Sequence, residues 1–274
     1  MKLLEDTLQK CSDVEPLAQG GQKRVIRAIH SDFGRVVIKV GEYRHATTLE
    51  RITREVQLLR EVESKYYPRH FEFVIEPVKR EFLVVEEYLE AVELSCARDR
   101  FNTDHKILVL LKHLVCALNV IWQRNVVHRD IKPANILITA DDEPRIIDLG
   151  IARFLDDTSL TATIAAVGPA TRIYAAPEQL MNRKAMIGVR TDFFLLGLLT
   201  LELMVGHHPF DPVHVGNDRS LIDNLLSGTY TPPNEDRDPL ATGFVERALR
   251  PQPYRRFKNV EELMGYLNIE LGEC

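Results

Sequence analysis

The residues of this chain that could do chemistry are concentrated in residues 128–135, which read HRDIKPAN. Asp130, Lys132 and Asn135 can meet one phosphate site if they share a turning loop. Asp148 follows thirteen positions after Asn135, so a carboxylate on the next strand can complete a Mg²⁺ site with the amide. Mg²⁺ keeps phosphate and water ligands, so an Asn and an Asp suffice as protein ligands. The pattern predicts phosphoryl transfer.

This run resembles the catalytic loop of the protein kinase family. The lysine two places after Asp130, Lys132, makes it similar to the loop of the Ser/Thr branch of that family. The resemblance implies that Asp130 accepts or orients the proton of the attacking hydroxyl and that Lys132 lies beside the γ-phosphate of ATP. It also implies that Asn135 and Asp148 hold Mg²⁺, for which Mn²⁺ could substitute. Leu149 stands where the family has Phe, and it is a fair apolar substitute.

A lysine on a predicted strand is expected to provide a further phosphate contact. Lys39 ends the β-branched run 36–38, and Glu55 lies sixteen residues later on a predicted helix. In the protein kinase family such a Lys binds the α- and β-phosphates and pairs with a Glu on the following helix. We therefore expect Lys39 and Glu55 to be partners in nucleotide binding.

The glycine-rich segment departs most from the family pattern, because Ala18, Gly20 and Lys23 stand at the places of three glycines. Gly20 and Gly21 still allow backbone amides to approach phosphate. Lys23 is interpreted as a solvated loop charge. The resemblance assigns Val25, which follows this segment, to nucleotide binding.

The run FLVVEE and the residues after it resemble the strand and hinge that hold adenine. The resemblance implies that backbone groups of Glu87 and Leu89 pair with the base and that Glu93 reaches the ribose. It places Leu137 in the nucleotide site as well. Glu86 falls at the gatekeeper position, where a carboxylate is less usual than an apolar residue or Thr.

Hydroxyl residues ten to fifteen places after Asp148 indicate an activation segment that phosphate could order: Thr158, Ser159, Thr161 and Thr163. Arg129 precedes Asp130, and in the family this Arg often holds such a phosphate. Thr171 matches the Thr that contacts the catalytic loop in Ser/Thr kinases. A merely polar loop is the alternative interpretation.

Two further elements indicate how the catalytic loop is supported. Residues 176–178, Ala-Pro-Glu, resemble the end of the family's activation segment, and Glu178 is expected to pair with Arg256 or, as second choice, Arg255. Asp192 and Gly197 match the helix that anchors the catalytic loop, where a buried Asp should accept backbone N–H groups.

Composition excludes some classes of protein. The 274 residues carry a net charge of −5 with a pI near 6.0, which argues against a general nucleic-acid binder. The four cysteines are scattered without CxxC spacing and are expected to be reduced. The acidic N-terminus lacks a signal-peptide pattern, and the apolar run 193–205 is too short to span a bilayer. We therefore expect a cytoplasmic protein with no membrane contact.

The elements fit one protein kinase domain over 1–274, of α+β class and bilobal. A small β-sheet lobe with one helix is predicted over about 14–88, and a larger helical lobe over about 89–270. Strands are predicted at 25–29, 35–40, 73–79 and 82–86, with a capped helix over 47–63. A long apolar-faced helix is predicted over 106–123, before the catalytic loop.

The favoured interpretation is an ATP-dependent serine/threonine protein kinase that phosphorylates its own activation segment. A nucleotide-binding pseudokinase scaffold is one alternative, supported by the altered glycine-rich segment. A kinase-like phosphotransferase acting on a small molecule is another, although such enzymes usually lack the Lys132-Pro133 pair and the Ala-Pro-Glu element. The sequence does not identify the protein substrate or the oligomeric state.

Overall fold

The computed structural model describes residues 2–19, 23–43, 45–62, 64–148 and 173–270. The chain divides into two units, the first ending at Glu90 and the second beginning at Ala91. The first contains a five-stranded antiparallel sheet and the second is mainly helical. The α+β class expected from the sequence is therefore confirmed.

The sheet of the N-terminal unit has the strand order β1-β2-β3-β5-β4. Its strands are Cys11–Gln19 (β1), Lys23–His30 (β2), Gly34–Glu42 (β3), His70–Glu76 (β4) and Glu81–Glu87 (β5). Helix α1 (Lys2–Leu8) precedes the sheet, and α2 (Ala46–Glu61) connects β3 to β4. Gly34 closes the turn between β2 and β3 at a φ of +73°, which glycine adopts without strain.

Alternate residues of each strand point to opposite sides of this sheet. Both sides carry buried apolar side chains. One face buries the side chains of Ala28, Val36, Ile38, Val40, Leu83 and Val85. The other face, which we call the α2 face, packs Phe82 and Val84 against Ile52 and Val56 of α2. The two clusters fix the register of β3 and β5, since a slip of one residue would exchange their faces.

The prediction that a cap begins this helix at residue 47 is wrong. The helix begins at Ala46, and His45 precedes it as N-cap with an extended backbone and no capping side-chain hydrogen bond. Thr47 therefore lies inside the first turn. The helix follows instead from its apolar stripe, since Ile52, Val56 and Leu59 recur at helical spacing and are all buried.

The C-terminal unit contains a small sheet of β6 (Ala91–Glu93), β7 (Ile136–Thr139) and β8 (Pro144–Ile146), all antiparallel. Its helices are α3 (Asp104–Trp122), α4 (Pro177–Leu180), α5 (Val189–Val205), α6 (Pro212–Val215), α7 (Leu221–Ser227), α8 (Pro239–Ala248) and α9 (Val260–Tyr266). Helix α5 is buried over most of its length, as expected for an apolar run that forms a core helix.

Helix α3 leads into the catalytic loop, and the Thr103 hydroxyl caps it by accepting the Lys106 N–H at 3.3 Å. Among the helices in the described ranges, α3 alone has the length and composition to cross a membrane, with a mean hydropathy of 1.5. However, 67% of this stretch is buried, and a core helix passes the same test. The predicted cytoplasmic location stays a prediction.

The expectation that all four cysteines are reduced is wrong. Cys116 of α3 is disulfide-bonded. Cys11 and Cys96 are free thiols. The cysteines therefore do not support the prediction of a reducing compartment.

Candidate active site

The predicted catalytic loop connects α3 to β7 and brings three polar side chains together. Lys132 Nζ lies 3.1 and 2.9 Å from the two carboxylate oxygens of Asp130. Asn135, at the end of a 3₁₀ turn, donates its amide N–H groups to the Asp130 carbonyl and to Asp130 Oδ2, both at 2.8 Å. All three side chains are buried. The loop therefore holds one carboxylate by a cation and an amide, in a fixed orientation.

Asp192 of α5 anchors this loop, as the sequence predicted. Its carboxylate accepts the backbone N–H groups of His128 and Arg129 and the indole N–H of Trp122, each at 2.8 Å. Asp192 is fully buried. Burial raises the pKa of its carboxyl, and the three N–H donors act in the opposite direction by favouring the charged form. Asp192 thus connects α3, the catalytic loop and α5 through one side chain.

His128 is a buried neutral residue of this loop. Its Nδ1 accepts the Asp130 N–H at 3.3 Å, and burial lowers the pKa of the imidazole. The neutral ring, buried in the core, holds the backbone of Asp130 through this hydrogen bond. This placement indicates that His128 packs in the core rather than takes part in the reaction.

Asn135 and Asp148 are the residues that could hold a metal ion. Both amide N–H groups of Asn135 are directed to Asp130, which leaves its Oδ1 as the ligand atom. The Ile147 N–H donates to the Asn135 carbonyl at 3.0 Å. Asp148 is the next residue in the chain, so its backbone is held near that of Asn135. Asp148 is half-buried at a φ of +58°. One amide and one carboxylate oxygen fit the hard, oxygen-seeking Mg²⁺.

The Ala-Pro-Glu element lies where the sequence predicted and pairs with Arg256, the favoured candidate. Arg256 binds Glu178 through two hydrogen bonds, of 2.7 and 2.9 Å, and both side chains are buried. The Thr191 hydroxyl donates to the same carboxylate at 2.8 Å. Next to Glu178, Gln179 donates its amide to the Arg129 carbonyl at 2.9 Å. The element is thus connected to the residue before Asp130.

In the N-terminal unit, Lys39 has a carboxylate partner that the sequence analysis did not assign. Its Nζ lies 2.6 Å from Glu86 Oε1. The expected partner, Glu55, lies within α2, but its side chain is outside the described part of the structure. The Lys39–Glu55 pair therefore stays a prediction, and Lys39–Glu86 is an observed ion pair.

The residues assigned to adenine and ribose lie on or directly after strands. Glu87 ends β5 and donates its N–H to the Arg69 carbonyl at 2.8 Å, and Leu89 follows two residues later. Val25 lies on β2 and is half-buried. In the C-terminal unit, Glu93 of β6 is directly opposite Leu137 of β7. Their roles in nucleotide binding stay predictions.

Several predicted residues lie outside the described ranges, so their placement is not tested. They are Gly20, Gly21, Leu149, Thr158, Ser159, Thr161, Thr163 and Thr171. Arg129, the predicted phosphate contact, is described and lies in the left-handed region at a φ of +68°. Arginine rarely adopts this conformation, and the two backbone contacts to Asp192 and Gln179 hold it there.

One polar cluster next to the Ala-Pro-Glu element was missed by the sequence analysis. The Tyr174 hydroxyl donates to buried Glu202 of α5, with O···O distances of 2.8 and 2.7 Å, and Arg98 pairs with the same carboxylate. Burial and this carboxylate raise the pKa of Tyr174. Glu202, the charged residue within the apolar run 193–205, was the signal that could have predicted this contact.

Comparison with known proteins finds relatives that cover most of this chain. The protein kinase domain family matches residues 11–266. The serine/threonine-protein kinase PknB of Mycolicibacterium smegmatis is 33% identical over 197 residues, which are 67% of this chain and 29% of the relative. PknB of Mycobacterium leprae is 31% identical over 196 residues, with the same coverage. A probable serine/threonine-protein kinase of Clostridium acetobutylicum is 31% identical over 167 residues, 60% of this chain and 24% of the relative. The chain thus spans less than a third of the length of these relatives.

Proposed function

This chain belongs to the protein kinase family, and we propose that it transfers the γ-phosphate of ATP to Ser and Thr hydroxyls of proteins. The observation that supports this most directly is the buried contact of Asp130 with Lys132 and Asn135. Transfer of a phosphoryl group requires positioning and charge neutralisation more than covalent help from the protein. The loop supplies both, because it fixes a carboxylate next to a cation.

In this proposal Asp130 receives a hydrogen bond from the attacking hydroxyl and orients it. Lys132, already next to Asp130, neutralises charge on the transferring phosphate as a point charge. Both groups are buried, so their electrostatic effect is larger than it would be in water. Asp192 keeps the loop in place through the N–H groups of His128 and Arg129.

We propose Mg²⁺ as the metal ion, with Mn²⁺ as a substitute. Asn135 Oδ1 and the Asp148 carboxylate would be its protein ligands. When bound, the ion would neutralise phosphate charge. Lys39 would bind the α- and β-phosphates, as in the family.

The relatives named PknB are serine/threonine-protein kinases by name, and this supports Ser and Thr as acceptor residues. We also propose that the protein phosphorylates itself within residues 158–163 and that Arg129 binds the resulting phosphate group. Phosphosite mass spectrometry of the protein after incubation with Mg-ATP tests this, and phosphatase treatment should lower activity until ATP is added again.

A phosphate-transfer assay with labelled ATP and a generic protein substrate tests the main proposal. Activity should require Mg²⁺ or Mn²⁺ and be abolished by a chelator. Asp130→Asn and Asp148→Asn should each lower the rate by roughly a thousand-fold, about 4 kcal/mol in barrier. Asp141→Asn is the matched control, because Asp141 is exposed in the turn between β7 and β8.

The alternatives give different results in the same experiment. A pseudokinase scaffold would bind a fluorescent ATP analogue without transferring phosphate. A small-molecule phosphotransferase would transfer phosphate to compounds of a metabolite panel and leave proteins unlabelled. Full activity of the Asp148→Asn variant would contradict the assignment of this site.

A further inference from the structure

Three titratable side chains from three strands meet inside the N-terminal unit. Glu86 of β5 binds Lys39 Nζ through Oε1 at 2.6 Å and approaches His70 Nε2 of β4 through Oε2 at 3.3 Å. The side chains are 10% exposed for Lys39 and 5% for both Glu86 and His70. The Glu86 carboxylate therefore bridges a cation and an imidazole with separate oxygens, away from water. We call these residues the buried triad.

The sheet register explains why Lys39 and Glu86 share a face. Glu86 is directly opposite Val37, and Lys39 is directly opposite Val84. Because side chains alternate, Lys39 and Glu86 both lie on the α2 face, where Val84 packs against α2. The two are diagonal neighbours, a separation that a long lysine side chain can cross.

An irregularity in β4 adds His70 to this pair. In β4 the register is regular from Glu76 back to Glu72, which lies opposite Val85, and then shifts so that His70 lies opposite Glu86. A regular strand would place Phe71 opposite Glu86. Instead Phe71 packs on the other face of the sheet, where its ring stacks on that of Phe33 with 4.7 Å between the ring centroids. The bulge thus exchanges an aromatic ring for an imidazole beside Glu86.

The bulged backbone is held from α2. Arg60 Nη2 donates to the Phe71 carbonyl at 2.7 Å. On the other side of the bulge, His70 Nδ1 lies 3.1 Å from the Pro68 carbonyl. The His70 ring therefore lies between two oxygen acceptors, the Pro68 carbonyl at Nδ1 and the Glu86 carboxylate at Nε2, which fix its orientation. His70 is therefore placed by contacts on both sides, not by the strand alone.

We propose that Glu86, fixed by His70, is a positioning residue for Lys39, in addition to any contact Lys39 makes with α2. An ammonium group buried without a carboxylate is strongly disfavoured, and removing one partner of a buried pair is costly. Glu86 keeps Lys39 charged and directed before nucleotide binds. The role in nucleotide binding rests on the proposed function, whereas the charge and orientation of Lys39 do not.

Amine acylation measured without nucleotide tests this proposal separately from catalysis. The full chain is treated with limiting acetic anhydride, and mass spectrometry compares the labelling of Lys39 with that of exposed Lys65. Only the deprotonated amine reacts, so Lys39 should be protected in the unmodified protein. Glu86→Gln keeps the size of the side chain but removes the charge, and should increase Lys39 labelling at least ~5-fold. His70→Gln should increase it less, and Glu86→Asp should restore most of the protection.

Glu72→Gln is the matched control, since Glu72 lies on the same sheet opposite Val85 and should leave Lys39 labelling unchanged. Unchanged labelling in Glu86→Gln, with protection lost only in Glu55→Gln, would overturn the proposal. Circular dichroism verifies that each variant is folded. If Glu86→Gln does not fold, the His70→Gln variant decides: normal Lys39 protection there overturns the proposal that Glu86, fixed by His70, positions Lys39.

Discussion

Gly197 of α5 and Ala248 of α8 are in such close contact that a Cβ atom on Gly197 would lie 2.7 Å from the Ala248 Cβ. This distance is shorter than real Cβ contacts, and the neighbour is at the base of a side chain that cannot move away. The absence of a side chain at Gly197 is therefore what allows α8 to pack on the helix that carries Asp192.

We expect Gly197→Ala to lower the free energy of unfolding by about 1–3 kcal/mol, because it overpacks this contact. Urea denaturation followed by circular dichroism measures the change. Gly265→Ala is the control, since a Cβ at Gly265 would meet no atom within 4 Å beyond its chain neighbours and its own helix backbone, and alanine favours α9. The double variant Gly197→Ala/Ala248→Gly should recover part of the loss. Equal stability of Gly197→Ala and the unmodified protein would contradict the packing argument.

The buried Glu178–Arg256 pair should be important for stability. Arg256→Lys keeps the charge but loses the two-bonded geometry and the contacts with the Pro251, Arg250 and Arg190 carbonyls. We expect a loss of about 1.5–3 kcal/mol, because hydrogen bonds to the carboxylate and to buried carbonyls are lost while the charge is kept. Thermal denaturation of Arg255→Lys provides the comparison, because Arg255 is exposed next to it. Similar melting temperatures for the two variants would argue against the pair.

The contacts of Asp192 should be detectable in the fluorescence of Trp122, the single tryptophan of the chain. Trp122 donates its indole N–H to Asp192 Oδ2, so a change at Asp192 alters the environment of the only indole. Asp192→Asn places an amide N–H against N–H donors and should cost about 1–3 kcal/mol. We expect a shift of the fluorescence maximum together with a lower phosphate-transfer rate. An unchanged emission spectrum would show that the indole does not depend on this carboxylate.

His208 should make stability depend on pH. Its Nε2 lies 3.1 Å from the Ile173 carbonyl and its Nδ1 accepts the Phe210 N–H at 3.4 Å, so the neutral ring fits both contacts. Burial lowers its pKa from 6.5 to about 4. The unfolded chain therefore binds more protons between these values, and stability falls as pH decreases through 6.5 towards 4.

From pH 7 to pH 5 this group should remove about 2 kcal/mol of stability. His208→Asn does not titrate and should weaken the pH dependence by that amount in denaturant titrations at both pH values. His105→Asn is the control, because His105 is exposed on α3 and its loss should leave the pH dependence as it was. An identical slope in His208→Asn would show that another group is responsible.

The sequence by itself predicted which residues come together in the catalytic loop of the C-terminal unit. Asp130, Lys132 and Asn135 are close in the chain, so a single turn brings them together and their spacing is sufficient to predict the contact. The β-branched runs of β2 and β3 and the apolar stripe of α3 are equally local patterns. The longer contacts of Asp192 and of Glu178 with Arg256 followed from the family resemblance, because no local pattern fixes a pair of residues so far apart.

The tertiary structure alone decided how Lys39 is paired with Glu86 and how His70 joins them. This contact depends on the register between β3 and β5 and on one extra residue in β4. The register is set by which apolar side chains each face of the sheet can bury, and the bulge by the packing of Phe71 against Phe33. The hydrophobic pattern of a single strand does not reveal that a neighbour is displaced by one residue. A buried carboxylate between a lysine and a histidine is the result of that displacement.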